Sequence, residues 1–109
     1  MSKELSLKVR IPSTNIRYDS FKQVTHYNVM VQCVMPSGTN SAWQISARYS
    51  EFLELYSLLR GRSLELENFE FPSKYVILTL GGDVRRQKLE EFLNMAVRLT
   101  PLPIELFLF

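Results

Sequence analysis

The sequence predicts an α+β fold, a three-stranded antiparallel β-meander packed against a helical subdomain. Three observations carry that reading. Early in the chain Leu5, Leu7, Val9 and Ile11 alternate with Ser6, Lys8 and Arg10, the period of a half-buried strand. The turn-forming run Pro36-Ser37-Gly38-Thr39-Asn40 separates two further segments of strand character, which marks an antiparallel hairpin. After Ser50 the period changes, and Phe52, Leu55, Tyr56 and Leu59 recur at helical spacing. Sheet residues come first and helical residues after, so the two kinds of element segregate.

The first strand runs to Ile11 and is interrupted at Pro12-Ser13-Thr14; Asn15 to Gln23 reads as a polar, irregular stretch carrying Arg17, Tyr18 and Phe21. The second strand spans Thr25 to Met35 and sets Tyr27, Val29, Val31 and Cys33 on one face. The third, Ala42 to Ala47, sets Trp43, Ile45 and Ala47 on one side. Ser50 suits the N-cap of the first helix, Glu51 complements its dipole, and Gly61 ends it. Residues 60–70 read as a charged loop. A second helix starts near Asp83, after Gly81-Gly82, and runs to about Leu99, with Leu89, Phe92, Leu93, Ala96 and Val97 on its apolar face. Pro101 and Pro103 stop it, and the apolar run Ile104 to Phe109 is expected to pack back on the core.

A chain of 109 residues is expected to form a single domain, 1–109. Its 13 Lys+Arg against 11 Asp+Glu leave a net charge of only +2. That is too weak for the long-range field of a dedicated nucleic-acid binder, so no nucleic-acid partner is expected and any anion must be held by local placement. The single cysteine, Cys33, excludes an internal disulfide and fits a reducing compartment. No stretch approaches the roughly 18 to 20 apolar residues that span a bilayer, and Met-Ser-Lys-Glu lacks an apolar signal region. The expectation is a cytoplasmic protein that meets membranes from the cytosolic side. The apolar ending Phe107-Leu108-Phe109 suggests a domain cut from a longer protein.

Three separated segments carry cations and one aromatic ring: Arg48-Tyr49-Ser50-Glu51-Phe52, Phe71-Pro72-Ser73-Lys74 and Arg85-Arg86-Gln87-Lys88-Leu89. A phosphorylated inositol needs such a set, with a bidentate cation for a phosphate, a flat apolar surface for the sugar face and further donors for the other oxygens. Arg48 falls where the third strand hands over to a helix N-terminus, whose dipole favours an anion; taken alone it is a surface arginine beside a core-edge tyrosine. Pro72 restricts the backbone and so aims Lys74, though a Pro-x-Lys turn by itself is unspecific. Arg85 heads the stripe of Leu89, Phe92 and Ala96, and a cation there needs an anionic partner or an open pocket. A fork capping the sheet or pairing with a carboxylate would also account for it. Arg86 lies off that face and can pair with Glu90 at i, i+4. Tyr75-Val76-Ile77-Leu78 is apolar and fits either a short core segment or a membrane-dipping loop.

Ala-Arg-Tyr-Ser-Glu-Phe followed by Leu-x-Leu-Tyr-x-x-Leu, together with the proline turn and the arginine four residues before Leu89, resembles the phox-homology (PX) domain, a phosphoinositide-binding module of the sorting-nexin type. The resemblance covers nearly the whole chain and departs from the usual pattern in having Phe71 before a single Pro72. It implies that Arg48 holds the 3-phosphate, Tyr49 stacks on the inositol ring, Lys74 contacts the 1-phosphate and Arg85 binds the hydroxyls at positions 4 and 5. It further implies phosphatidylinositol 3-phosphate as ligand and peripheral attachment of a larger protein to early endosomal membranes. Tyr75, Val76 and Ile77 would be the inserting residues, with Tyr18 and Phe21 as secondary candidates. An additional cation such as Arg86 or Lys88 would accommodate a bisphosphorylated lipid. The alternative is a PX-fold protein-interaction domain with weak or altered lipid specificity, serving partners of the parent protein.

No catalysis is expected. His26 is the only histidine and falls in a strand, which leaves no His-based triad or multi-histidine metal site. Cys33 shares the apolar face of Val29 and Val31 and reads as a core residue. Glu65, Glu67 and Glu70 lie in a loop and Glu90-Glu91 on a helix, with no converging pair. Gly81-Gly82 reads as a helix entry, not a phosphate loop. Neither a cofactor nor a metal is implied.

Overall fold

The structure, a computed structural model, describes residues 6–73, 82–99 and 101–109. Three antiparallel strands in the order β1-β2-β3 are followed by helices, as expected. They are β1 (Ser6–Asp19), β2 (Lys22–Val34) and β3 (Asn40–Arg48), then α1 (Tyr49–Leu59), a 3-10 turn (Arg60–Arg62), α2 (Leu64–Asn68), α3 (Gly82–Ala96) and the short α4 (Glu105–Leu108). The β2–β3 turn is held by Gly38 N–H to Met35 O and Met35 N–H to Thr39 O, and Gly38 supplies its positive φ of 91°.

The first strand departs from the sequence expectation. Pro12 does not end it. The β1–β2 register shifts between Arg10 and Ser13, so the proline sits at an irregularity where its missing N–H costs no ladder bond. Pairing then continues to Asp19↔Lys22 across the two-residue turn Ser20-Phe21. The stretch read as irregular is therefore a hairpin arm, and its Ile16, Tyr18 and Phe21 are exposed. Ser20 and Phe21 both take positive φ, 49° and 71°, which matches the strand twist but is costly for a residue with a side chain.

The helical layer also differs at its edges. Arg48, not Ser50, occupies the N-cap of α1, because the Glu51 carboxylate accepts the Arg48 backbone N–H at 2.9 Å. Gly61 lies inside the 3-10 turn that follows α1. The expected 60–70 loop contains α2, nucleated where the Ser63 hydroxyl accepts the Leu66 N–H at 3.1 Å and Leu66 is fully buried. Arg62 pairs with Glu105 and so ties the 3-10 turn to α4.

Core residues come from every layer: Val9, Ile11, Tyr27, Val29 and Ala47 from the sheet, Phe52, Leu55 and Leu59 from α1, and Leu89, Phe92, Leu93 and Ala96 from α3. The predicted stripe of α3 is thus the buried one. Cys33 is buried as expected. Trp43, on the edge strand β3, is about half exposed. Leu106 and Phe109 pack against the core, while Ile104 faces outward.

The outer edge of β1 is closed by α3 side chains. Asn94 accepts the Val9 N–H at 2.9 Å and returns a donor to Val9 O at 2.8 Å. Glu90 accepts the Ile11 N–H at 2.8 Å, and Arg86 donates to Ile11 O at 2.6 Å. Residues at i, i+4 and i+8 of one helix therefore stand in for a missing strand and satisfy an edge that would otherwise be exposed to pairing.

Candidate functional site

The cleft of interest is a product of strand register. The last β2–β3 pair is His26↔Arg48, after which β3 turns into α1 while β2 continues for four residues to Lys22. The edge of β2 at residues 22–25 therefore has no β3 partner. It forms one wall of a cleft of about 450 Å3 whose other described lining residues are Arg48, Tyr49, Ser50, Leu53 and Arg85. Among the described residues none of the lining is a carboxylate.

Arg48 and Arg85 enter this cleft in different states. Arg48 is exposed, and its side chain has no hydrogen-bond or ion-pair partner among the described residues. Arg85 is 6% exposed and is the only buried charged residue described. Its Nε donates to the Tyr27 hydroxyl at 2.5 Å, and its guanidinium lies 5.0 Å from the Tyr49 ring centre and 5.7 Å from that of Tyr27. Two tyrosines thus cradle the fork by hydrogen bonding and cation–π attraction. Phase along α3 places it there, since Leu89, one turn on, is fully buried.

Tyr49 is half-buried and lines the cleft. Its hydroxyl donates to Pro72 O at 2.6 Å, so the proline turn is tied directly to the strand-to-helix junction. Burial raises the Tyr49 pKa above its ordinary value; the nearby Arg85 charge opposes that shift and Tyr27 adds to it. The hydroxyl therefore stays a donor at neutral pH. Phe71, where the resemblance expects a second proline, stacks on Tyr56 with ring centres 4.6 Å apart and meets Phe92 edge-on at 5.5 Å. Aromatic packing supplies the rigidity that a second proline would otherwise give.

The structure brings Arg48, Tyr49 and Arg85 to one cleft. Lys74, Tyr75, Val76 and Ile77 lie outside the described residues. The two suggested auxiliary cations do not line the cleft. Arg86 is held by Asp83 at 2.9 Å, by Glu90 at 3.7 Å and by Ile11 O. Lys88 lies 3.9 Å from Glu91 and over the Phe69 ring. The Arg86–Glu90 pair expected at i, i+4 is present, but it seals the β1 edge instead of simply facing water. Lys22 is the cation that sequence reasoning missed. It sits in a stretch read as loop, and no motif links it to Arg48; only the continuation of β2 past β3 brings it in.

Residues 35–105, well over half of the chain, match the PX domain family. The chain belongs to the PX domain family, whose members are in general phosphoinositide-binding, non-catalytic modules that attach peripherally to membranes. Among solved structures it is similar to the mouse SNX19 PX domain with bound sulphate ion, with a TM-score of 0.67, 21% identity, and coverage of 91% of this chain and 89% of that one. A second structure of the mouse SNX19 PX domain gives a TM-score of 0.59 at the same identity and coverage. At this identity the likeness speaks for the fold. No curated protein sequence matches the chain. No described helix is long and apolar enough to cross a membrane.

Proposed function

We propose that the chain is a single phosphoinositide-binding domain that recognises phosphatidylinositol 3-phosphate and carries a larger protein to early endosomal membranes. In this reading Arg48 grips the 3-phosphate, the Tyr49 ring backs the inositol, Arg85 binds the ring hydroxyls and Lys74 meets the 1-phosphate. The observation that carries it is the pairing of an uncommitted arginine, Arg48, with a preoriented one, Arg85, on a cleft whose described lining holds no carboxylate. An exposed fork is free to bind a phosphate bidentately, and a cradled one loses little freedom on meeting hydroxyls.

Membrane depth would come from Tyr75, Val76 and Ile77 and from the arm tip, where Tyr18 and Phe21 are 73% and 102% exposed. An aromatic ring held in water at a strained turn is explained if it is buried on docking. Neither element is strong alone; headgroup and insertion together give useful affinity.

Cosedimentation with vesicles carrying each phosphoinositide, at two salt concentrations, tests the proposal. Binding to the 3-phosphorylated lipid that persists as salt rises is the expected result, because screening weakens diffuse attraction more than a pocket contact. No binding to any vesicle would overturn it and favour the protein-interaction alternative.

A further inference from the structure

We propose that the outer edge of β3 is a docking site for an extended segment of a partner protein, which joins the sheet as a fourth, antiparallel strand. The segment carries apolar residues at alternate positions and a cation near its N-terminal end. No residue of 40–47 is among the described lining of the headgroup cleft, so this edge can be occupied with or without lipid.

The sheet has two outer edges, and the fold treats them differently. Along β1, Arg86, Glu90 and Asn94 take up backbone groups of Val9 and Ile11, Pro12 sits at a register shift, and Arg17 and Asp19 charge the remainder. Such devices keep an edge from pairing with another chain. β3 has none of them. Residues 40–47, Asn-Ser-Ala-Trp-Gln-Ile-Ser-Ala, include no charge and no proline, and they pair with β2 in unbroken register. Among the described residues their backbone groups bond only to β2. Alternate residues of an antiparallel strand turn N–H and C=O outward. At about 3.3 Å per residue, a ladder about 26 Å long is therefore open to another strand.

Two hollows beside this edge define its occupant. Trp43 and Ile45 open on a hollow of about 300 Å3 that is lined also by Val31, Met35, Leu106 and Phe109 and has no charged residue in its described lining. Trp43 is 48% exposed there. Strand side chains alternate between faces, so every second residue of an added strand points to this side. Burying apolar groups there is favourable, and burying a charge is not. The second hollow, of about 190 Å3, shares Phe109 with the first and is lined by Glu51, Glu54 and Glu105. Glu51 and Glu54 lie in the first turns of α1, which starts where β3 ends, so carboxylates gather at the Arg48 end of the edge. Arg62 offsets one of them, Glu105. Antiparallel order, slightly the more stable, brings the N-terminal end of an added strand to this place, where a lysine or arginine is attracted. A second copy of β3 fits less well. Its own leading segment, Pro36-Ser37-Gly38-Thr39-Asn40, offers no cation to Glu51 and Glu54.

A library of random dodecapeptides panned on the whole chain, followed by anisotropy titrations of synthetic copies, tests the proposal. Enriched sequences are expected to alternate apolar and polar residues and to carry Lys or Arg on the N-terminal side. Their binding should shift the emission of Trp43, the only tryptophan of the chain, to shorter wavelength. Of two copies N-methylated at odd or at even backbone nitrogens, one should bind like the unmodified peptide and the other not, because only alternate N–H groups enter the ladder. Trp43→Lys should weaken binding about tenfold or more and Glu54→Lys about fivefold, while Trp43→Phe stays close to the parent and circular dichroism is unchanged. A library without binders, equal tolerance of both methylation patterns, or binding indifferent to Trp43→Lys would overturn the proposal. So would a concentration-dependent dimer that excludes the peptides, which assigns the edge to a second copy. Competition between peptide and soluble inositol 1,3-bisphosphate would overturn it too, by placing the peptide in the headgroup cleft.

Discussion

Replacing each cleft arginine by alanine should separate binding from stability. Arg48 is exposed with no described side-chain partner, and its contribution to the α1 cap is the backbone N–H given to Glu51, which alanine keeps. Arg48→Ala should therefore move stability by no more than about 0.5 kcal/mol. Loss of a charge-assisted phosphate contact costs about 1.5–3 kcal/mol, so binding to 3-phosphoinositide vesicles should fall about 10- to 150-fold. Arg85→Ala differs. It strands the buried Tyr27 hydroxyl, at about 1–3 kcal/mol, and removes the cation–π contacts with Tyr27 and Tyr49, at about 0.5–2 kcal/mol. A combined loss of about 2–4 kcal/mol is a large part of the roughly 5–15 kcal/mol that stabilises a small domain, and the melting temperature should fall by about 10 °C or more. Thermal melts and vesicle titrations on both variants read the two effects separately. Arg48→Ala protein that bound like the parent would refute the pocket assignment. Arg48→Ala protein as destabilised as Arg85→Ala would refute the claim that the two arginines enter the cleft in different states.

Three further outcomes are expected. Phe21→Gly should raise stability by about 0.5 kcal/mol, since glycine accepts the φ of 71°. It should also weaken vesicle binding while sparing soluble headgroup; vesicle affinity equal to the parent would exclude the arm tip from the membrane contact. Asn94→Ala strips Val9 of both its edge partners and should cost about 2 kcal/mol or more in urea unfolding, with headgroup affinity per folded molecule retained. Tyr49→Phe removes the bond to Pro72 O and should cost about 1 kcal/mol. Because the folded-state pKa of Tyr49 is raised, the stability linked to its proton is complete below about pH 10 and lost as pH climbs through the folded value; a melt series in alkaline buffer should show that decline in the parent and not in Tyr49→Phe.

Periodicity made the layers legible. The alternation in β2 and the helical stripe of Leu89, Phe92, Leu93 and Ala96 both face the core. Helical phase alone also separated Arg85 from Arg86, and burial follows that phase: Arg85 is enclosed while Arg86 reaches the rim. What periodicity could not deliver were features set by pairing across space. Pro12 looks like a stop because its effect on a lone strand is to remove a donor; a register shift absorbs it once β2 lies alongside. Ser20-Phe21 carries none of the Asn-Gly chemistry that announces a tight hairpin, so the arm was invisible. Leu66 stands between Glu65 and Glu67 in a short segment, and α2 exists because it plugs the core and Ser63 caps the turn. The use of Arg86, Glu90 and Asn94 as a substitute strand needs the β1 edge in place before it has meaning.

The cleft itself follows from a mismatch of lengths. β2 pairs with β1 as far as Lys22 but with β3 only as far as His26, because β3 ends at Arg48 and the next residue begins α1. The abrupt change from strand to helix at Arg48-Tyr49 is what leaves the edge of residues 22–25 open, and it also turns those two side chains toward the opening. A β3 longer by a turn of pairing would fill the cleft with backbone and bury the site. This is why a motif can report the helix side of the pocket, where Arg48, Tyr49 and Arg85 are fixed by local spacing, yet is silent on the arm side. Lys22 lines the cleft through register alone, so the residue there can vary without any change in the motif that marks the fold.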